Sequence, residues 1–454
     1  MVAATAAACG DDGPSNPKAD ASVGSPDSET GDPTPVKITI TLDGAAVAGI
    51  KVHFQRPDSS VYTSVVTDSS GVASSPMPSG GFVTAVNPFV GPGDNYSKLY
   101  TYATVQPGDE LLLKQSFGDA GDTLTITAPL DSSSTVTDYL FTSPCDSSIE
   151  PEAGNTTNTT YDMFLDSRCG ATTDILIASL DANEEIVKYT YAANQSTTGG
   201  SLDLSGATLT TPVTKSYTYT NIPATGMGVG IETQLSSAKG RLLEREGGGD
   251  GTSVTASIKQ AGFPNAFEAI GAFTGAPNGM HGMFDWATFS SAPFTTDVGA
   301  RLLKEATSAV TFDIASKTAT WSVAATGVTP DFVAVETYRS DSTGDNYVEW
   351  SIVGPYTGGS VQFPTLPPET TDYNFKATDM VDDVEVNMGK VPGGWDGIRE
   401  AFFGLDGPED LVDTAAAGSV TFQIVSSTGP GLRRRPTPTK RKQPASAWKI
   451  RRRM

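Results

Sequence analysis

The chain has 454 residues, with 52 acidic and 30 basic side chains and a formal charge of −22, and its length suits about three domains at roughly 150 residues each. Ten of the basic residues follow Thr428, leaving 20 against 52 acids in the rest, so this body is expected to repel nucleic acid. No run of 18 apolar residues is present, which excludes a transmembrane helix, and the abundance of Gly, Ser, Thr and Pro favours strands joined by turns.

Residues 1–35 open with AAAC and continue as GDDGPSNPKADAS, a polar stretch with almost nothing to bury. Such a segment cannot offset the entropy of ordering and is expected to be a flexible linker. Ala6, Ala7, Ala8 and Cys9 resemble the end of a bacterial lipobox, and this resemblance implies lipidation of Cys9. Eight preceding residues are too few for a whole signal, so its start is expected upstream. The other reading is a cysteine without a role in a polar terminus.

From Val36 the pattern turns to alternation in VKITITL, AGIKVHF, VYTSVV and GGFVTAV, with turn residues between the runs. Period two predicts an antiparallel sandwich over 36–115, with Val52 and Phe54 on one face and Lys51, His53 and Gln55 on the other. His53 is thereby placed on the solvent face. The strings AGIKVHF and TDSSGVAS, followed by the PSGG turn, resemble bacterial immunoglobulin-like and carboxypeptidase-regulatory-like modules. That resemblance implies a spacer or adhesion module and carries over no catalytic residue.

Further on, CGATTDILIA (169–178) aligns with TGVTPDFVAV (326–335), TGGSLDL (198–204) with TGGSVQF (357–363), VGIET (229–233) with VEVNM (384–388), and SVTASI (253–258) with SVTFQI (419–424). The preserved order suggests two copies of one β-sandwich, over 116–274 and 275–427. SSAKGRLLERE (236–246) and WDGIREAFFGLDG (395–407) interrupt the alternation and are expected to hold a short helix or an irregular crossover, with GGGDG (247–251) as a flexible loop. The fold class is therefore all-β, a tandem of antiparallel sandwiches consisting of one immunoglobulin-like module and a duplicated pair.

Few residues offer chemistry. Cys145 and Cys169 lie 24 positions apart, and pairing them would contribute about 3 kcal/mol in the chain-entropy model; two reduced buried thiols are the alternative. His281 and Asp285 in NGMHGMFDW form the one conceivable His/Asp pair, without a G-x-S-x-G elbow, and support only a second reading as an exported hydrolase. Asp174 and Asp331 precede apolar runs and suggest turn caps. The acidic loops GPGDN (91–95) and DSTGDN (341–346) lack calcium-loop spacing, and no zinc motif occurs, so neither metal nor cofactor is expected. Trp350 shares a face with Ile352 and belongs in the core, whereas Trp395 follows a PGG turn, where an exposed ring can stack on a sugar.

After Thr428 the sequence becomes GPGLRRRPTPTKRKQPASAWKIRRRM. This tail (428–454) reads either as a polyanion-binding extension or as translation in a shifted frame. The AAAC start, AGIKVHF with TDSSGVAS, and PDFVAVETY followed by WSIVGPYTGGSVQFPTLPP together resemble uncharacterised surface lipoproteins of myxobacteria. This resemblance implies a non-enzymatic, lipid-anchored protein of the outer membrane or cell surface. Such a protein would present β-sandwiches for adhesion or polysaccharide binding, attach to the membrane through its lipid, and be a monomer.

Overall fold

A computed structural model describes residues 34–89, 96–115, 122–151, 157–165, 169–198, 200–223, 228–276, 278–341, 347–405 and 417–427. Cys9, the linker to Pro33, the loops 91–95 and 342–346 and the basic tail lie outside them. The described chain is all-β, as the alternation predicts, and its strands build sandwiches in tandem.

The first sandwich holds β1 (Val36–Leu42), β2 (Ala45–Ala46), β3 (Lys51–Gln55), β4 (Val61–Val66), β5 (Val72–Ser75), β6 (Gly81–Val86), β7 (Tyr96–Val105) and β8 (Glu110–Gln115). One sheet runs β4-β3-β6-β7; in the facing sheet β1 pairs antiparallel with β5 and parallel with β8. Val36, Ile38 and Ile40 of β1 meet Val52, Phe54, Val83 and Ala85 across the interior, so the period-two residues form the core between the layers.

The same pairing recurs twice. In the second sandwich β9 (Asp122–Thr127), β10 (Val136–Thr142), β11 (Ser147–Pro151), β12 (Thr160–Leu165), β13 (Thr172–Asp181), β14 (Ile186–Ser196) and β15 (Gly200–Asp203) form the sheets β11-β10-β13-β14 and β12-β9-β15. In the third, β16 (Val213–Thr220), β17 (Val229–Ser237), β18 (Gly240–Gly249), β19 (Ser253–Gln260), β20 (Phe267–Ala276), β21 (Gly279–Thr288) and β22 (Phe294–Asp297) form β18-β17-β20-β21 and β19-β16-β22. In both, the opening strand pairs antiparallel with one neighbour and parallel with the closing strand. The fourth sandwich places β26 (Tyr347–Pro355), β25 (Phe332–Ser340), β28 (Met380–Lys390) and β29 (Gly418–Ser426) side by side, facing β23 (Thr311–Asp313), β24 (Thr318–Thr320) and β27 (Ser360–Gln362). Here β24 lies between β23, which precedes it in the chain, and β27, and it is antiparallel to both.

These pairings divide the chain differently from the boundaries at 116–274 and 275–427. The stretch 122–276 contains all of one sandwich and most of the next, and the aligned strings lie on strands that do not correspond. CGATTDILIA covers β13, an inner strand beside the closing hairpin strand, whereas TGVTPDFVAV leads into β25, the first strand of its larger sheet. SVTASI forms β19 in a small sheet and SVTFQI forms β29 in a large one. Alternating Thr, Val and Ile report only a half-buried strand, so short matches arise between strands with different neighbours.

Residues 236–246 form the hairpin from the end of β17 into β18, with a turn at 238–239, rather than a helix or crossover. Glycines 247–249 continue β18 opposite Val229–Ile231, while Leu242 and Leu243 are buried. A Cβ at Gly247 would stand 3.2 Å from the Ala256 Cβ and one at Gly249 3.1 Å from Val254, so these glycines let strands of the two sheets approach closely.

Sandwiches one, three and four share one sheet of twelve strands. β21 pairs antiparallel with β29 from Gly279 to Trp286, and β26 pairs parallel with β7 from Tyr347 to Val353. The sheet of the second sandwich packs instead through Leu176, Ala178 and Ile186 on Leu235, Leu243 and Phe263 of the third. A disulfide joins Cys145, in the turn between β10 and β11, to Cys169, in the connection from β12 to β13, with Cα atoms 5.5 Å apart.

Candidate functional site

Trp395 lies on the insertion between β28 and β29. Gly393 and Gly394 take left-handed φ values of 75° and 66°, which reverse the chain into the short helix α1 (Gly394–Ile398). The Trp395 carbonyl accepts the Arg399 N–H at 2.9 Å, and Ile398 is buried. Beyond α1, Phe403 meets Tyr102 edge-on at 4.8 Å and Phe402 meets Phe332 at 5.3 Å. Arg399 reaches buried Asp109 at 2.9 Å, and the Leu112 N–H donates to the Glu400 carbonyl. The insertion thus clasps the first sandwich to the fourth.

The indole of Trp395 is half-buried, packed in part against the apolar cluster that the first sandwich shares with the third and fourth. Charged groups flank it: Asp396 and Arg399 on its own turn, and Asp331 beside Gly394. Asp331 accepts the Val391 N–H and the Lys390 ammonium, both at 3.0 Å. A partly open ring rimmed by polar groups can stack on the apolar face of a sugar while its neighbours bond hydroxyls.

Neither Asp331, just before β25, nor Asp174, within β13, bonds its own turn; each takes partners from another strand or its end. Asp174 accepts the Asn194 N–H at 2.6 Å and the Tyr191 hydroxyl at 2.8 Å, and these hydrogen bonds outweigh burial and hold its carboxyl below the usual range. Trp350 is fully buried and donates its indole N–H to Thr101 Oγ1 at 2.9 Å.

His281 and Asp285 do not come together. They project to one side of β21 four residues apart, which separates their Cα atoms by about 13 Å. Asp285 pairs with Arg301 at 2.5 Å, while His281 lines a cavity of about 320 Å³ with Leu302, Glu305 and Thr326. No group of three or more His, Cys, Asp or Glu side chains among the described residues is arranged to hold a metal ion.

His53 corrects the solvent-face expectation. It does share a face with Lys51, yet that face is covered by the 3-10 turn Pro368–Tyr373 of the fourth sandwich and His53 is fully buried. Its ring bonds Ser64 Oγ at 2.8 Å and Thr370 Oγ1 at 3.1 Å.

Burial lowers the pKa values of His53 and His281 to about 4 each. Between the ordinary value near 6.5 and 4 the unfolded chain binds these protons and the folded one does not, so stability falls as pH drops through that window. The expected loss is up to about 3 kcal/mol per histidine. Urea unfolding of the wild type and of His53→Gln and His281→Gln at pH 7.5 and 4.5 measures it. Each variant should lose less stability on acidification than the wild type; equal losses would refute the assignment.

Sequence reasoning missed the polar groups buried inside the sandwiches. Lys215 of β16 contacts Glu268 of β20, and the Tyr217 hydroxyl donates to the same carboxylate at 2.5 Å. Arg339 and Asp379 pair at 2.6 Å in the fourth sandwich. The seam between β7 and β26 carries Lys98 on Glu349, with Glu336 nearby; burial and the Glu349 charge raise the Glu336 carboxyl above its usual range. A charged residue at an inward position of an alternating strand, as in TKSYTYT, is the signal that could have revealed them.

No protein-family model and no curated protein matches the chain. Among solved structures, the Bacillus anthracis TIE protein matches at 12% identity over 58% of this chain and 50% of its own, with a TM-score of 0.14. BcpA, the major pilin subunit of Bacillus cereus, matches at 11% identity over 58% of this chain and 98% of its own, with a TM-score of 0.13. A tetra-tandem repeat from the extending region of a large adhesion protein matches at 12% identity over 78% and 94%, with a TM-score of 0.13. The chain therefore spans half the length of the TIE protein chain.

Proposed function

We propose that this chain is a non-enzymatic cell-surface protein, tethered through a lipid on Cys9, that presents its sandwiches for adhesion or polysaccharide binding. The observation that carries the reading is architectural. Three sandwiches repeat one strand pairing and a fourth varies it, and three of the four join edge to edge into one sheet. Such a body suits holding and presenting a surface, and the acidic charge keeps it soluble. The separation of His281 from Asp285 removes the pair on which the hydrolase reading rested. The half-buried indole of Trp395 supports a sugar contact on the clasp between the first and fourth sandwiches.

The test is a panel of extracellular polysaccharides and matrix extracts titrated against the full chain. Trp395→Ala should weaken binding by about 1–3 kcal/mol, the scale of a buried aromatic contact, while Trp395→Phe keeps part of it. Binding unchanged in Trp395→Ala with the fold intact would place any ligand elsewhere. The tether is tested separately by the mass of the N-terminal peptide from native cells, where an unmodified Cys9 ends the lipid reading.

A further inference from the structure

The twelve-stranded sheet ends at β4, whose second edge pairs with no strand among the described residues. Unpaired edges recruit other strands, and proteins blunt them with Lys, Pro, inward charges or a cover. β4 reads VYTSVV, with neither charge nor proline. Arg56 closes one end by donating to the Val61 carbonyl at 3.2 Å and lying over the Tyr62 ring, which leaves Tyr62 to Val66 open. Two of the few exposed large apolar side chains in the described residues are here, Tyr62 at 37% and Val66 at 54%.

We propose that β4 is a self-association edge at which two copies of this chain pair antiparallel about a two-fold axis through Ser64, instead of remaining the monomer expected from sequence. The residues themselves select this register. Tyr62 and Val66 stand on the same face of β4, two positions either side of Ser64. A two-fold axis normal to the sheet keeps equivalent faces together, so Tyr62 of each copy lies opposite Val66 of the other and Thr63 opposite Val65. Aromatic and β-branched residues directly opposite each other are the favourable cross-strand pairing, with Cβ atoms about 4.5–5.5 Å apart.

The surroundings fit the same occupant. Ser64 Oγ is already bonded to His53 and, at 3.1 Å, to Glu369, so the side chain at the axis is held in place by its own copy. Lys51, opposite Val66 on β3, stands beside Glu369 near the seam, one charge of each sign per copy. Edge pairing is also how this protein already joins its own sandwiches, at β21 with β29 and at β26 with β7.

Sedimentation velocity on the full chain across a concentration series tests the proposal, alongside Val66→Lys and Tyr62→Lys. The wild type should show a monomer–dimer equilibrium, with either variant lowering the association constant about tenfold or more, since lysine on an edge opposes strand pairing. Both positions are exposed, so the variants should fold as the wild type does. In a Cys9→Ser background a short bis-maleimide should link Ser64→Cys to its own copy. It should not link Val66→Cys, whose two thiols would stand about 14 Å apart along the strand. A chain that stays monomeric to its solubility limit overturns the proposal. So does a dimer indifferent to Val66→Lys, or cross-linking through Val66→Cys in preference to Ser64→Cys.

Discussion

Replacing Lys215 by methionine is expected to cost about 3–5 kcal/mol, because it leaves the Glu268 carboxylate buried without its cation. Both side chains are almost wholly enclosed in the third sandwich, at 5% and 4% exposure. Lys215 projects inward from β16 where an apolar residue would ordinarily stand, between the opposed sheets. Tyr217 donates to Glu268, and Gln260 donates to Tyr217 at 3.1 Å and to Thr233 at 2.6 Å, so the carboxylate anchors a network tying β16, β19, β20 and β17 together. Methionine preserves the stem volume of lysine and removes only the ammonium. The double variant Lys215→Met, Glu268→Leu should recover most of the loss, since a buried pair contributes little net stability over an apolar replacement. Urea unfolding of the four members of this cycle separates the cost of the orphaned charge from that of repacking. A single-variant loss below about 1 kcal/mol would show that water reaches Glu268.

Trp350→Ala should cost a similar 3–5 kcal/mol by a different route, the removal of a fully buried aromatic. The indole stacks on Phe375 with centroids 5.5 Å apart and meets Phe363 edge-on at 5.3 Å. Its N–H donates to Thr101, which in turn bonds Thr84 at 2.9 Å. Because Trp350 stands on β26 and Thr101 on β7, this one side chain spans the parallel seam between the fourth and first sandwiches. Amide exchange in β7 and β26 should therefore rise more in Trp350→Ala than exchange in β10 or β13, which belong to the separate sheet of the second sandwich. Trp350→Phe keeps the ring stack and gives up the N–H donor, for an expected loss of about 1 kcal/mol beyond repacking. Equal protection across all sandwiches would mean that the seam is not a local unit of stability.

Much of the secondary structure was legible because period two is a local property. VKITITL buries Val36, Ile38 and Ile40, the alternation it displays in sequence. Trp350 beside Ile352 read as core and is core. The candidate site was less legible. PGG before Trp395 marks a turn, and the turn exists, but nothing in WDGIREAFFG shows that Phe403 docks on Tyr102 of another sandwich or that part of the indole is buried.

His53 marks the boundary between the two kinds of information. Alternation assigned it correctly to the face of Lys51, and the covering of that face by residues 368–373, some 300 positions away, could not follow from the strand's own pattern. The same limit explains why the aligned strings fall on strands with different neighbours. By itself the sequence determined that the chain is all-β, where many strands begin and end, and which side chains share a face, because those depend on turn residues and on the two-residue repeat of an extended backbone. Only the tertiary structure decided which strand pairs with which, how many sandwiches there are, and that three of them fuse into one sheet. Backbone hydrogen bonds across a sheet are indifferent to side-chain identity, so partners are chosen by long-range packing that no local stretch records.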